Sequence, residues 1–208
     1  MKELLDSIED LKNSDIRKLI DDRIYEFEHI QRESIDTIFK ELCFCIMTAN
    51  CGADKCLEIH EEISDGFLHL SQKNLSGRFK ELGYRFPNVR SIYIVEAREY
   101  KDQLYQLLKS NRQKQELREW VVKNIKGLGY KEASHFLRNI GYKNYAIIDF
   151  HIVDVLAKYH VIEKPKTMTK KKYLEIEKIL KQMANRLNLN MAELDLYLWY
   201  LETGKVLK

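Results

Sequence analysis

Apolar positions recur every three to four residues along almost the whole chain, and strand-like alternation is scarce. Two prolines in 208 residues leave that period largely uninterrupted. Ile16, Leu19, Ile20, Ile24 and Phe27 form one stripe of a helix that Ser14 is placed to cap and that runs to Ile30. A nearly all-apolar stretch predicts a buried helix over 35–48. Asp54 is placed to cap the next helix, with Leu57, Ile59 and Ile63 inward. A polar loop over 83–88 precedes a long helix predicted over 90–108, which carries Ile92, Ile94, Val95 and Leu104. Leu117, Trp120, Val121 and Ile125 make a further stripe, and Ile152, Val153 and Leu156 another. Thr169 caps a helix predicted to run through Leu187. Asn190 with Glu193 three residues later has the form of a capping box, and the helix it opens ends at Gly204. The pattern predicts an all-α protein of roughly ten to twelve short helices, without an internal repeat.

The bulk numbers fit that picture and narrow the function classes. Apolar residues make up 45% and charged residues 32%, which suits a folded globular chain rather than a disordered one. No apolar run approaches the length of a membrane-spanning helix, so a membrane partner is not expected. The first ten residues, MKELLDSIED, are acidic and amphipathic, unlike a signal peptide, which predicts a cytoplasmic protein. The net charge is only +3, but it is unevenly spread. Residues 1–100 carry 14 Lys and Arg against 20 Asp and Glu, a net of −6; residues 101–208 carry 21 against 12, a net of +9. That asymmetry suits a polyanion partner for the second half, and it equally fits chance clustering of solvated charge. Cys43, Cys45, Cys51 and Cys56 lie close together, but C-x-C-x5-C-x4-C matches no standard zinc or iron–sulfur spacing. Cys43 and Cys45 fall in the apolar run LCFCIM, so buried or reduced thiols are expected and no metal site.

Candidate chemistry concentrates between Glu116 and Val155. A helical stripe leads into Lys126-Gly127-Leu128-Gly129-Tyr130, a second helix opens at Lys131 and stops at Gly141, and Asp149 opens a third after Ala146, Ile147 and Ile148. Gly127 and Gly129 allow positive φ and close approach of a ligand to the backbone, and their amides at a helix N-terminus can cradle a phosphate. The same two glycines also fit a plain helix–turn–helix connection. Lys131 sits where the helix dipole disfavours a cation, which favours the neutral, nucleophilic amine. It reads equally as an exposed lysine or a phosphate contact. Asp149 is placed as an N-cap, with Ile148 and Val153 as a hydrophobic staple. An ionised carboxylate held there can also stabilise a sugar cation, as carboxylates do in glycoside hydrolysis. His151 reads as structural.

Together these residues resemble the helix–hairpin–helix DNA glycosylases. That superfamily has a Gly-hydrophobic-Gly hairpin, a lysine two residues past the second glycine and, here, an aspartate 18 positions after the lysine. The runs GLGYKEASHFLRN, FCIMTAN and DLYLWYLETGKVLK are similar to the archaeal-type 8-oxoguanine DNA glycosylase/AP lyases. The resemblance covers essentially the whole chain, 1–208, as one glycosylase unit with its hairpin over about 116–140. It implies two helical lobes with the active site in the cleft between them. It also implies a bifunctional repair enzyme that excises 8-oxoguanine from duplex DNA by base flipping and nicks the strand at the resulting abasic site by β-elimination through a lysine Schiff base.

 The resemblance implies that Lys131 attacks C1′ as the nucleophile and forms a Schiff base, and that Asp149 stabilises the cationic sugar and helps deprotonate the lysine. Gly127 and Gly129 would hold a phosphate beside the lesion. Asn50 would fill the gap left by the extruded base, with Arg85 and Phe86 probing the base opposite. Trp199 would stack on the extruded purine, Asp195 would accept hydrogen bonds from a base edge, and Lys208 would reach into the base pocket. The implied partner is double-stranded DNA containing 8-oxoguanine, acted on by a monomer. No organic cofactor or catalytic metal is implied, and the superfamily's monovalent cation on the hairpin carbonyls is compatible with this hairpin.

Two features depart from the family pattern. Phe150 follows Asp149 where relatives often carry a basic residue, and CGADKC after Asn50 is less familiar. The C-terminal four-cysteine cluster of iron–sulfur glycosylases is absent, since all four cysteines precede residue 57. The residues alone leave two alternatives open: a DNA-binding module that uses the hairpin for phosphates without catalysis, and the same enzyme class acting on another oxidised base.

Overall fold

The computed structural model describes residues 1–110 and 114–208. Among the described residues there are thirteen α-helices and no strand, so the chain is all-α as its periodicity predicts. In chain order α1 spans Lys2–Lys12, α2 Ile16–Ile30, α3 Ile35–Thr48, α4 Ala53–Ile63, α5 Gly66–His69, α6 Gln72–Glu81 and α7 Pro87–Ala97. A 3-10 turn over Arg98–Tyr100 leads into α8, Lys101–Lys109; then come α9 Lys114–Asn124, α10 Tyr130–Asn139, α11 Phe150–Lys158, α12 Lys170–Arg186 and α13 Met191–Thr203. The helices form two compact units, one of Met1–His29 with Leu137–Lys208 and the other of Ile30–Phe136.

The unit of Ile30–Phe136 is built on α3. Its residues from Ile38 to Thr48 are buried apart from Lys40, which matches the nearly unbroken apolar run. Ser34 starts this helix by accepting from the Thr37 amide at 3.2 Å. Two sequence expectations need correction here. Asp54 does not cap α4: Gly52 holds the cap position and Asp54 lies in the first turn, where its charge still meets the positive end of the dipole. The helix predicted over 90–108 is two helices. It starts earlier, because Pro87 at the first helical position needs no amide partner and brings its own φ. It breaks at Arg98, whose Nε and Nη1 donate to the carbonyls of Phe67 and Leu70, each at 2.8 Å. The break also turns the apolar stripe. Ile94, Ala97 and Leu104 are buried, but Ile92 is 41% exposed.

The unit of Met1–His29 with Leu137–Lys208 follows its local signals closely. Ser14 Oγ accepts from the Ile16 amide at 3.3 Å, at the start of α2. Thr169 caps α12 by accepting from the Lys172 amide at 3.2 Å. Asn190 and Glu193 form the full capping box of α13: Asn190 Oδ1 accepts from the Glu193 amide at 3.0 Å, and Glu193 Oε2 accepts from the Asn190 amide at 2.7 Å. Gly204 closes α13 in the left-handed conformation at φ 69°. Between α10 and α11 the chain runs without regular structure through the buried residues Tyr145, Ala146, Ile147 and Ile148.

The capping box gives a direct check on this local account. Asn190→Ala removes the acceptor of two amides and should lower stability by about 1 kcal/mol. Thermal denaturation monitored by circular dichroism reads that loss; an unchanged melting curve would show that tertiary packing alone holds the start of α13.

Candidate active site

The hairpin of the unit Ile30–Phe136 is the turn between α9 and α10. Gly127 has φ +85°, a region that side chains rarely adopt. A Cβ there would also lie 2.6 Å from the Tyr93 ring and 3.0 Å from Arg90 Nη1. Glycine is therefore required twice, by dihedral and by space. Gly129 differs. Its φ is unremarkable, and its amide donates to Glu132 Oε2 at 3.2 Å. This is the backbone half of a capping box, so one of the amides expected to cradle phosphate already has a carboxylate partner within the chain.

Lys131 sits in the first turn of α10, as its spacing predicts. Its Nζ lies 3.2 Å from Glu132 Oε1, and both side chains are mostly buried. Glu132 thus holds the hairpin amide with one oxygen and the lysine with the other. Its charge also offsets the cost of placing an ammonium at a helix N-terminus. The lysine charge acts on Cys56 as well. Burial pushes the Cys56 thiol well above its usual range, while Lys131 and Arg90 pull the other way. Cys43, Cys45 and Cys56 are buried free thiols and Cys51 is half-buried, in keeping with their apolar surroundings.

Arg90 joins three parts of this unit. Its Nη2 donates to the Ala49 carbonyl at 3.0 Å, and its guanidinium lies 5.6 Å from the centroids of both Phe86 and Tyr93. Tyr93 and Arg90 are the side chains that press on Gly127. The Asn50 corner is tied to the same region. Asn50 is exposed at φ 61°, and its carbonyl accepts from Arg85 Nη1 at 3.3 Å. Arg85 in turn lies 5.0 Å from the Phe86 centroid. The structure therefore gathers Asn50, Arg85 and Phe86, three residues distant in sequence from the hairpin, around one arginine that also packs on it.

The other candidates belong to the unit of Met1–His29 with Leu137–Lys208. Asp149 is the N-cap of α11, with its Oδ1 accepting from the Ile152 amide at 2.9 Å. Ile148 and Val153, the expected staple residues, are both buried. Phe150 is 67% exposed and lies against His151, with ring centroids 3.9 Å apart. His151 in turn meets Trp199 edge-on at 4.7 Å. The indole Nε1 of Trp199 is buried and makes no hydrogen bond among the described residues. Asp195 is buried, with its Oδ2 3.6 Å from Arg138 Nη1, and it lines a small, mostly apolar cavity together with Ala146 and Leu198. Its carboxylate therefore faces an arginine of its own chain. Lys208, the last residue, is half-buried.

A sequence profile of the Ogg-HhH family, described as 8-oxoguanine DNA glycosylase, matches residues 20–189. The chain belongs to this family. Among its relatives, a protein of Korarchaeum cryptofilum named 8-oxoguanine DNA glycosylase/AP lyase is 50% identical over 99% of this chain and 98% of its own. The 8-oxoguanine glycosylase/lyase of Methanocaldococcus jannaschii, solved in complex with a 15mer DNA containing 8-oxoguanine, is 50% identical. It superposes with a TM-score of 0.96 over 99% of this chain and 100% of its own. The 8-oxoguanine DNA glycosylase of Thermotoga maritima is 39% identical, with a TM-score of 0.93 over 100% of this chain and 99% of its own. Membership confirms the helix–hairpin–helix glycosylase fold.

Two residues of the hairpin region escaped the sequence reading. Glu132 was legible in principle, because glycine followed three residues later by glutamate is a helix-start signal. Arg90 was not, since its partners at residues 49 and 127 are brought to it only by folding. The tight fit at Gly127 is testable. Gly127→Ala should cost on the order of 1–3 kcal/mol, from the strained φ and the collision with Tyr93. Gly129→Ala meets only the flexible end of Glu132 and should cost much less. Equal melting temperatures for the two variants would contradict this account.

Proposed function

We propose that this chain excises 8-oxoguanine from double-stranded DNA and then cleaves the strand at the abasic site, as a DNA N-glycosylase and AP lyase. The observation that carries the reading is Lys131 in the first turn of α10, directly after a glycine hairpin, in a chain that matches its glycosylase/lyase relatives over nearly its full length.

The chemistry requires that the damaged nucleotide leave the base stack, because C1′ is out of reach inside the duplex. The Lys131 amine then attacks C1′ and the base departs with the electrons of the glycosidic bond. Before that attack the lysine must lose a proton, and Asp149 is the carboxylate assigned to help take it. As the base leaves, the sugar carries positive charge, which the Asp149 carboxylate stabilises. Ring opening converts the adduct into a Schiff base between Lys131 and C1′. Loss of a proton from C2′ then expels the 3′ phosphate, and hydrolysis frees the lysine. An amine, a carboxylate, water and the DNA itself carry every step, so the proposal includes no cofactor.

The remaining residues act in recognition. The hairpin at Gly127 and Gly129 holds a backbone phosphate, an interaction that positions without reading sequence. Asn50 occupies the gap left by the extruded nucleotide, while Arg85 and Phe86 meet the base opposite. Trp199 stacks on the extruded purine, and Asp195 and Lys208 complete its pocket. We further propose that the protein works as a monomer on DNA in the cytoplasm.

Incubating the protein with duplexes that each carry one lesion tests this reading. It predicts base release and strand cleavage at 8-oxoguanine and not at the corresponding guanine. Activity confined to oxidised pyrimidines, or salt-sensitive binding with no cleavage of any duplex, would overturn it. Asp149→Asn should lower the single-turnover excision rate by about 100-fold while changing the Kd of the lesion duplex only a few-fold, because its charge matters most when the sugar is cationic.

A further inference from the structure

We propose that Tyr173 is a positioning residue for base excision, acting through Asp149, with Glu177 as its partner on the same helix. The inference rests on the assignment of Asp149 made above.

The segment that delivers Asp149 raises a structural problem. Residues 145–149 have no regular structure, and Ala146 and Ile148 are 2% and 3% exposed. Buried backbone amides and carbonyls need hydrogen-bond partners, which an extended segment ordinarily finds in a neighbouring strand. Among the described residues there is no strand. Side chains of α12 take its place. Tyr173 Oη donates to the Ala146 carbonyl at 2.6 Å and accepts from the Ile148 amide at 3.3 Å. Glu177 Oε1 accepts from the Ala146 amide at 3.1 Å. Tyr173 and Glu177 are four residues apart and share one face of the helix. Both polar groups of Ala146, and the amide of Ile148 immediately before Asp149, are thus held by two side chains.

This clamp controls where the catalytic carboxylate sits. Asp149 Oδ1 accepts from the Ile152 amide as an N-cap, and the carboxylate is carried by the backbone that this segment holds in place. Tyr173 holds that backbone one residue upstream and is itself 2% exposed, in the first turns of a helix capped by Thr169. A shift of well under an ångström in a charged catalytic group is enough to lower a rate, because its stabilisation depends on aim. A phenylalanine at 173 would fill the same volume. The hydroxyl is therefore the informative part of the residue.

Tyr173→Phe isolates it. Wild-type excision of 8-oxoguanine, measured first, establishes the function itself, so failure there is separate from failure of the clamp. In Tyr173→Phe the single-turnover excision rate should fall at least tenfold, with the Kd of the lesion duplex within twofold of wild type. Glu177→Gln keeps an acceptor for the Ala146 amide and should retain the rate within twofold, whereas Glu177→Ala should lower it several-fold. In an Asp149→Asn background, followed over hours with enzyme in excess, Tyr173→Phe should change the residual rate less than twofold. The proposal is overturned if Tyr173→Phe excises within twofold of wild type. It is equally overturned if rate and affinity fall together, or if the hydroxyl costs the same factor with and without the Asp149 carboxylate.

Discussion

The absence of a side chain at Gly127 is the constraint on which the unit of Ile30–Phe136 depends. Tyr93 and Arg90 occupy the space that a Cβ would need, so the turn between α9 and α10 is pressed against α7. That approach lets one guanidinium serve several segments at once. Arg90 reaches the Ala49 carbonyl, the Phe86 ring and the hairpin, and so places the Asn50 corner and the Arg85–Phe86 loop beside the turn that starts α10. Lys131 follows that turn directly, and its orientation is shared with Glu132, which binds hairpin amide and ammonium together. The first turn of a helix is an unfavourable place for a cation. The Glu132 carboxylate, 3.2 Å from Lys131 Nζ, offsets that cost.

Asp149 is governed by a different constraint. It ends a buried segment without regular structure in a protein whose described residues include no strand. The hydrogen bonds that a sheet would supply come instead from Tyr173 and Glu177. Capping then fixes one carboxylate oxygen on the Ile152 amide. The residue that reads most simply as an N-cap is therefore held from two sides, by the helix it opens and by the helix that clamps its approach. The two roles do not compete, because a carboxylate accepts more than one hydrogen bond and keeps its charge while doing so.

The features that were legible in the sequence share a common property: they are local. The caps at Asp149 and Thr169, the Asn190–Glu193 box, the end at Gly204 and the buried span of α3 each depend on residues within a turn or two. Lys131 and Asp149 stood out because the local placement of the first is odd and that of the second is strong. Long-range contacts were not legible. The break of the predicted 90–108 helix follows from Arg98 reaching carbonyls near residues 67–70. The cap of α4 shifted from Asp54 to Gly52, a choice of one or two residues that periodicity does not resolve. Arg90 and Tyr173 looked like ordinary helix residues, since their importance lies in partners 25 to 41 residues away. Asp195, which the resemblance implies as a reader of the base edge, has Arg138 beside it, a neighbour that sequence separation concealed.

The proposed chemistry depends on a single atom, the Nζ of Lys131. Borohydride reduction during reaction with an 8-oxoguanine duplex tests it most directly, because only a Schiff base is converted into a permanent protein–DNA bond. The account predicts a covalent complex with the native protein and none with Lys131→Gln, whose binding to the same duplex persists. A Lys131→Gln protein that still trapped and nicked the DNA would contradict it.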